Sequence, residues 1–148
     1  MFEDANQQWF HLINANAGLS GWRLQAAIGV AEWTIALVPL SLIVLWMSGA
    51  ASNRRAAVRA CLAVLCGLAL NHSIGLLWFH PRPFMARIGH TFMLHAADSS
   101  FPSDHATVIM SVALVLLAGA SGLARGCGAA LVAVGAGAAW ARVYLGVH

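Results

Sequence analysis

The sequence contains no lysine and few charged residues of any kind. Its 148 residues include eight arginines, three aspartates and two glutamates, so that 9% are charged while 60% are hydrophobic. A mean hydropathy of +0.75 excludes an ordinary soluble domain and indicates a membrane protein. The arginines are scattered and form no basic stripe with interleaved aromatic residues, which argues against a nucleic-acid partner.

Cysteine is equally scarce. Cys61, Cys66 and Cys127 lie inside apolar segments and form no CxxC pair, so they are interpreted as small core residues that imply no disulfide framework. The N-terminal segment lacks the basic start and the small-residue cleavage site of a signal peptide.

Four apolar stretches of near-spanning length predict an all-α, polytopic membrane helix bundle that forms a single domain over 1–148. The predicted elements are an interfacial helix over 1–21, spanning helices over 24–48, 56–79, 103–120 and 127–141, and a polar segment over 80–102. That segment is too long and too rich in His, Pro, Asp and Ser to lie in hydrocarbon unless protein or water surrounds it. A further short interfacial helix is predicted over 88–97.

Arginine bias predicts the orientation of the bundle. The residues that define it are Arg54, Arg55, Arg59 and Arg125. All lie in the two turns on one side, which is therefore predicted to be cytoplasmic. The polar segment and the tail 142–148 must then meet on the extracytoplasmic face.

The last predicted helix carries small residues at a spacing of four. These are Ala129, Ala133, Gly137 and Ala141, and they predict a face along which neighbouring backbones approach closely. Ordinary packing in an alanine-rich protein explains the same pattern.

Three polar segments on the extracytoplasmic face carry candidate chemistry. Arg82 stands between two prolines that fix where its guanidinium points. Ser103, Asp104 and His105 open a helix, whose free backbone N–H groups bind anions and whose histidine can exchange a proton. Taken one at a time, these residues also fit other roles. Arg82 fits a membrane anchor, Ser103 or Asp104 fits a plain N-cap, and His105 fits a solvated histidine.

Arg142 and His148 form the third segment. An unbroken helix would place them about 120° apart, so a bend at Gly146 is needed to bring both to one ligand.

These segments resemble the phosphatidic acid phosphatase type 2 superfamily, whose motifs are K-x6-R-P, P-S-G-H and S-R-x5-H-x3-D. Arg82 with Pro83 matches the first motif, Pro102-Ser103 with His105 the second, and Arg142 with His148 the third. The resemblance is closest to bacterial undecaprenyl-diphosphatases of the bacitracin-resistance type, through the run from His95 to His105 and through residues 81–84.

The resemblance implies a metal-independent phosphohydrolase of the bacterial inner membrane, with no cofactor. Its substrate is a lipid phosphate or diphosphate in the bilayer, undecaprenyl diphosphate above all. His148 would be the nucleophile that forms a phosphohistidine, and His105 the general acid and base. The phosphate oxygens would be held by Arg82, Arg142, Ser103 and the backbone at Asp104. The oligomeric state is left open.

The sequence departs from the motifs at four positions. Gly75 replaces the first-motif lysine, Asp104 replaces the second-motif glycine, and Ala141 replaces the third-motif serine. The third-motif aspartate would be residue 152, beyond His148. The chain is therefore expected to be C-terminally truncated, to lack the final helix of the family fold, and to have doubtful activity.

Other functions fit parts of the sequence. Phosphatidylglycerol phosphate or phosphatidic acid satisfies the same geometry as undecaprenyl diphosphate. A catalytically inactive, truncated membrane bundle is a second alternative. A histidine-rich metal-binding membrane protein is a third, with candidate ligands His80, His90, His95, His105 and Asp98. Glu32, inside the first span, is expected to bond Asn71 and His72 or to line the substrate entry.

Overall fold

The computed structural model describes residues 2–148, with side chains from Asp4 onward, and it contains helices and no strand over that range. The helices in chain order are α1 (Phe2–Ile13), α2 (Gly21–Trp33), α3 (Leu37–Met47), α4 (Ala51–Leu77), α5 (Asp104–Leu117) and α6 (Gly122–Tyr144). A 3-10 turn over Thr34–Ala36 joins α2 to α3. Met1, which belongs to the segment predicted as an interfacial helix, lies outside the described residues.

Three helical segments are long and apolar enough to cross a membrane, which makes the chain a multi-pass membrane protein. They are Gly21–Met47, Ala51–Leu77 and Gly122–Tyr144. Helix α5 is apolar but has 14 residues, about 21 Å at 1.5 Å per residue, which is shorter than the hydrocarbon core of about 30 Å. The span predicted over 103–120 is therefore found as a shorter apolar helix.

The bounds of the spanning helices differ from the predicted ones by up to five residues, and the interfacial helix predicted over 1–21 ends eight residues earlier, at Ile13. Gly49, at φ +75°, turns the chain between α3 and α4, so α4 begins at Ala51 and takes the arginines that were predicted to lie in a turn. Similarly, the Ser121 hydroxyl accepts a hydrogen bond from the Ala124 N–H at 3.0 Å, so α6 begins at Gly122 instead of 127.

Helix α5 lies between α4 and α6, and α6 also packs against α2. The buried residues of α5 are Ile109, Val112, Ala113 and Leu116. Two glycines of α6 allow the close approach: a Cβ at Gly128 would lie 2.8 Å from the Ala113 carbonyl oxygen, and one at Gly135 would lie 2.8 Å from Ile109 Cγ2. Such small-residue contacts let helices pack tightly in lipid.

The predicted small-residue face of α6 is wrong at most of its positions. Ala129 and Ala133 are exposed and Gly137 is half-buried, while Ala141 alone is buried. The buried residues of α6 are Ala124, Gly128, Leu131, Gly135, Ala138, Ala141 and Arg142. Their spacing alternates mainly between four and three, following the 3.6-residue period, whereas a fixed spacing of four drifts by about 40° at each step.

Candidate active site

Residues 78–103, here called the site loop, cover the end of the bundle where α4 ends and α5 begins. The Phe92 N–H donates to the Leu145 carbonyl at 3.0 Å, and Asn14 bonds both the N–H and the carbonyl of His90, at 2.7 and 2.8 Å. The helix predicted over 88–97 is wrong, because these backbone groups pair with Asn14 and with the end of α6 instead of with one another.

The C-terminal end of α6 turns sharply at Gly146. The Val147 N–H donates to the Arg142 carbonyl at 3.1 Å, and the Gly146 N–H donates to the Val143 carbonyl at 3.0 Å. These two bonds define a Schellman motif, and Gly146 has the positive φ, +77°, that the motif requires. The bend predicted at Gly146 is confirmed, and it directs His148 back towards the arginines.

Arg82, in the site loop, is only 5% exposed and all three of its nitrogens have partners. Its Nε donates to Asp98 Oδ1 at 2.7 Å, its Nη1 donates to the Val147 carbonyl at 2.7 Å, and its Nη2 donates to the Ser99 carbonyl at 3.3 Å. Nη1 also lies 3.3 Å from His148 Nε2. Arg82 thereby connects the site loop to the end of the chain.

Arg142, in the last turn of α6, is 3% exposed and differently partnered. Its Nη2 lies 2.8 Å from His95 Nε2, and its buried Nε has no hydrogen-bond partner. Among the described residues no carboxylate lies within ion-pair distance of Arg142. A buried guanidinium that has no ion-paired carboxylate and keeps a free donor is suited to receive an anion.

His148 is held in one tautomer by its surroundings. Its Nδ1 lies 3.0 Å from the Ser100 carbonyl, which can only accept, so Nδ1 carries the proton. Its Nε2 lies 3.3 Å from both Arg82 Nη1 and Ser103 Oγ, which are donors to the remaining lone pair. Burial, aided by the charges of Arg142 and Arg82, lowers the pKa of His148 to about 3, so the ring is neutral at pH 7.

Helix α5 begins at the site, with Ser103 as its N-cap. The Ser103 hydroxyl accepts from the Ala106 N–H at 3.5 Å. His105, in the first turn, lines the same cavity as Ser103, Arg142 and His148. The Asp104 carboxylate is turned towards α4, where Asn71 Nδ2 donates to its Oδ1 at 2.9 Å. Its negative charge is thereby directed away from the phosphate position that the sequence predicts.

The cavity has a volume of about 1210 Å³, and Ser103, His105, Arg142 and His148 lie in its wall. Pockets for drug-sized ligands measure about 300–1,000 Å³, so this one accommodates a larger ligand. Beyond the histidines and Arg142, its walls are mostly apolar. They include Trp9, Phe10 and Ile13 of α1, Trp78, Phe79 and Phe101 of the site loop, Ile109 and Met110 of α5, and Gly135, Ala138 and Ala139 of α6.

The structure brings the predicted site residues of all three segments to one place: Arg82, Ser103, His105, Arg142 and His148. It does not support the Glu32 expectation, because Glu32 is exposed and Asn71 bonds Asp104 and Thr107 instead.

Sequence reasoning missed the roles of His95, Asp98 and Ser100. All three lie within the run from His95 to His105. The sequence suggested only metal binding for His95 and Asp98. No group of three His, Cys, Asp or Glu residues that could hold a metal ion occurs in the described part of the chain. His95 and Asp98 contact the two arginines instead.

A multi-pass helical protein in which a buried arginine, a helix start and two histidines line one cavity, with a second buried arginine beside one of those histidines, has the construction of a membrane enzyme that acts on phosphate groups. The sequence profile described as the PAP2 superfamily matches residues 56–148. The chain belongs to the PAP2 superfamily, which confirms the resemblance seen in its motifs. No solved structure matches the chain significantly.

Three curated relatives show the same relationship. The chain is 40% identical over its full length to YbjG of Escherichia coli (strain K12), provisionally named as an undecaprenyl-diphosphatase, and spans 73% of it. It is 34% identical over 119 residues to the undecaprenyl-diphosphatase BcrC of Bacillus subtilis (strain 168), covering 80% of this chain and 60% of the relative. A Bacillus licheniformis protein named as a bacitracin transport permease, BcrC, is 27% identical over 59% of this chain and 43% of its own length. The final helix expected from the resemblance stays a prediction.

Proposed function

We propose that this protein hydrolyses undecaprenyl diphosphate to undecaprenyl phosphate and inorganic phosphate. The observation that carries the proposal is the unprotonated Nε2 of His148, a residue that lines a largely apolar cavity; this nitrogen lies 3.3 Å from both Arg82 Nη1 and Ser103 Oγ. The names of YbjG and of the Bacillus subtilis relative support the same substrate.

The first chemical step is attack of His148 Nε2 on the terminal phosphorus. The P–N bond forms as the bond from phosphorus to the bridging oxygen breaks, and His105 gives a proton to that oxygen. Arg82, Arg142, Ser103 and the backbone N–H at Asp104 bind the equatorial oxygens, where negative charge is spread in the transition state. Arg82 and Ser103 transfer their hydrogen bonds from Nε2 to the phosphate as it enters.

In the second step His105 takes a proton from water, and the resulting hydroxide oxygen attacks the phosphohistidine. The P–N bond breaks, inorganic phosphate leaves and neutral His148 is restored. The Ser100 carbonyl keeps the proton on Nδ1 throughout, which is the orienting role that the family motif gives to an aspartate at position 152. The guanidinium charges allow this chemistry to proceed without a metal ion.

We also propose that the active site faces the extracytoplasmic side of the bacterial inner membrane. Asn53, in the first turn of α4, bonds Ser121 at the start of α6, so the arginine-bearing turns share one end of the bundle. The site loop covers the other end. By the positive-inside rule the arginine end is cytoplasmic, and α5 with its flanking residues forms the fourth crossing.

The proposal is tested with the purified chain in detergent micelles and undecaprenyl diphosphate labelled with ³²P in its terminal phosphate. We expect release of labelled phosphate that is insensitive to EDTA, a trapped phosphoenzyme, and loss of both in His148→Ala. His105→Ala should release phosphate at least 100-fold more slowly. His72→Ala, an exposed histidine of α4, is the matched control.

Parallel assays with phosphatidylglycerol phosphate and phosphatidic acid decide between substrates. Faster hydrolysis of either one would replace undecaprenyl diphosphate in the proposal. Absence of phosphate release from all three lipids, or full activity in His148→Ala, would overturn the phosphatase function itself.

A further inference from the structure

Both buried arginines of the site are held by one short stretch of the site loop. His95 contacts Arg142, and Asp98, three residues later, contacts Arg82. Arg82 and Arg142 are 60 residues apart in sequence, yet their side chains receive partners from a single tetrapeptide. The two partners differ in charge, and that difference has chemical consequences.

Asp98 gives Arg82 a full counter-charge. Its Oδ1 accepts from Arg82 Nε at 2.7 Å, and the carboxylate is 59% exposed. Desolvation acts to raise the pKa of Asp98, but the hydrogen bond and the charge of Arg82 outweigh it, so the pKa of this carboxyl is held below its usual range. Asp98 is therefore ionised at pH 7, and Arg82 is a compensated cation.

His95 gives Arg142 a neutral acceptor instead. A guanidinium can only donate, so His95 Nε2 must present its lone pair to Arg142 Nη2 across 2.8 Å. The proton is then on Nδ1, which faces the Ala96 carbonyl at 3.2 Å. Burial, together with the charges of Arg82 and Arg142, lowers the pKa of His95, which keeps this arrangement at neutral pH.

The result is an arginine that is fixed in direction and keeps its charge. Arg142 Nε remains buried without a partner, and the ring of His95 lies 6.2 Å from that of His148, so the charge of Arg142, which has no ion-paired carboxylate, lies beside the proposed nucleophile. A carboxylate in place of His95 would hold the guanidinium as firmly but would cancel much of the charge that an anion needs.

We propose that His95 is a positioning residue that orients Arg142 as a neutral hydrogen-bond acceptor and so reserves its positive charge for the phosphoryl group being transferred. This inference rests on the proposed phosphatase function. His95 acts through Arg142, and no proton transfer to the substrate is assigned to it.

Three substitutions of His95 separate orientation from charge. His95→Gln keeps a neutral acceptor near the position of Nε2, His95→Leu removes the acceptor, and His95→Glu keeps an acceptor but adds a negative charge. The measurements are kcat and KM for undecaprenyl diphosphate, and the Kd of inorganic phosphate determined by calorimetry on the full chain in micelles. His90, exposed in the same loop and absent from the cavity wall, supplies the matched controls His90→Leu and His90→Glu.

We expect His95→Gln to stay within about threefold of the wild type in all three quantities. His95→Leu should lose about 10- to 100-fold in kcat/KM, the range for a hydrogen bond to a charged group. His95→Glu should weaken phosphate binding about tenfold or more and raise KM. The His90 variants should resemble the wild type.

If His95 were only a structural anchor, its variants would rank differently in phosphate affinity and in kcat/KM. If Glu restored phosphate affinity as well as Gln does, or if His95→Leu kept full kcat/KM, the inference would be overturned. Should the Leu variant fail to fold, the comparison of Gln with Glu decides alone. A wild type that binds phosphate but hydrolyses no lipid phosphate would overturn the proposed function, while the order of the Kd values would still decide the role of His95.

Discussion

Each buried arginine of the site has its own set of partners. Arg82 is surrounded by a carboxylate and two carbonyls, whereas Arg142 has one neutral imidazole and a free Nε. Burying a charge is costly unless it is paired, so the unpaired donor of Arg142 is retained at a cost in stability. That cost is explained if an anion completes the site during turnover.

Replacing Arg142 by lysine tests this explanation. Lysine keeps a positive charge, but all its donors are on one nitrogen, whereas the planar fork of Arg142 presents Nη2 to His95 and keeps Nε free at a separate position. We expect kcat/KM to fall about 10- to 100-fold, the range for charged hydrogen bonds. Arg125→Lys, exposed at the opposite end of the bundle, should change kcat/KM less than twofold. Equal effects of the two substitutions would contradict the role of Arg142.

The protonation state of His148 gives a second prediction at this scale. The pKa of His148 is about 3 in the folded protein because of burial and of the neighbouring Arg142 and Arg82, against about 6.5 in an unfolded chain. Between these values the unfolded state binds a proton that the folded state does not, so stability is complete above pH 6.5 and declines as the pH falls towards 3. His95 contributes in the same direction, and Asp98 loses its contribution only in the acidic range below its usual pKa.

We therefore expect the midpoint of thermal unfolding to fall as the pH is lowered from 6.5 to 4, and to fall less steeply in His148→Asn. Asparagine does not titrate but can still donate to the Ser100 carbonyl. His90→Asn is the control for a histidine outside the cavity. Identical slopes in the wild type and in His148→Asn would show that the pKa of His148 is not depressed.

At the scale of elements, the C-terminal turn of α6 decides where His148, the proposed nucleophile, lies. Gly146 has a positive φ, and a Cβ at this position would clash with the His90 carbonyl of the site loop. Both constraints favour glycine over any other residue. In the same turn the Val147 carbonyl accepts a hydrogen bond from Arg82, so one motif positions both the proposed nucleophile and a proposed phosphate-binding arginine.

Gly146→Ala is expected to lower the free energy of unfolding by about 1–2 kcal/mol from the left-handed backbone alone, with the clash adding to it. Turnover should fall more than tenfold, because the turn and the site loop must separate. Gly137→Ala is the control in the same helix, since a Cβ there has no atom within 4 Å. Chemical denaturation and phosphate release provide the two measurements; normal turnover in Gly146→Ala would contradict the argument.

At the scale of the whole molecule, the cavity joins the proposed phosphate site to apolar walls drawn from four parts of the chain, among them Ile109 and Met110 of α5. Helix α1 contributes Phe10 and Ile13, the site loop contributes Trp78 and Phe79, and α6 contributes small residues such as Ala139. This arrangement suits a phosphate whose hydrocarbon chain stays in or beside the bilayer.

A bulky side chain in the apolar part of the cavity should therefore weaken binding of a substrate with a long hydrocarbon chain more than that of a short one. Ala139→Phe is expected to raise KM for undecaprenyl diphosphate about tenfold or more, roughly the transfer free energy of two methylene groups. KM for isopentenyl diphosphate should change little. Ala136→Phe, an exposed residue outside the cavity wall, should leave both values unchanged. A rise in KM that is equal for both substrates would show that the cavity does not hold the lipid chain.

Much of the fold could be predicted because its signals are local. Apolar runs predict α2 to α4 and α6, Ser103 predicts the start of α5, and the arginine-to-histidine spacing predicts a bend at Gly146. Helix bounds were less accurate, since Gly49 and Ser121 set them through turn geometry that hydropathy does not record. The helix predicted over 88–97 failed because Asn14 and the end of α6 compete for its backbone groups.

The sequence by itself determined which side chains are candidates for the chemistry and that they lie at one end of a helical bundle. Periodicity, turn residues and the spacing within each motif depend on near neighbours, so they can be recognised in the amino-acid sequence. Only the tertiary structure decided the partners: His95 with Arg142, Asp98 with Arg82, and Asn71 with Asp104. These pairs join residues 16 to 47 positions apart, and their choice depends on how helices pack and how the site loop crosses them.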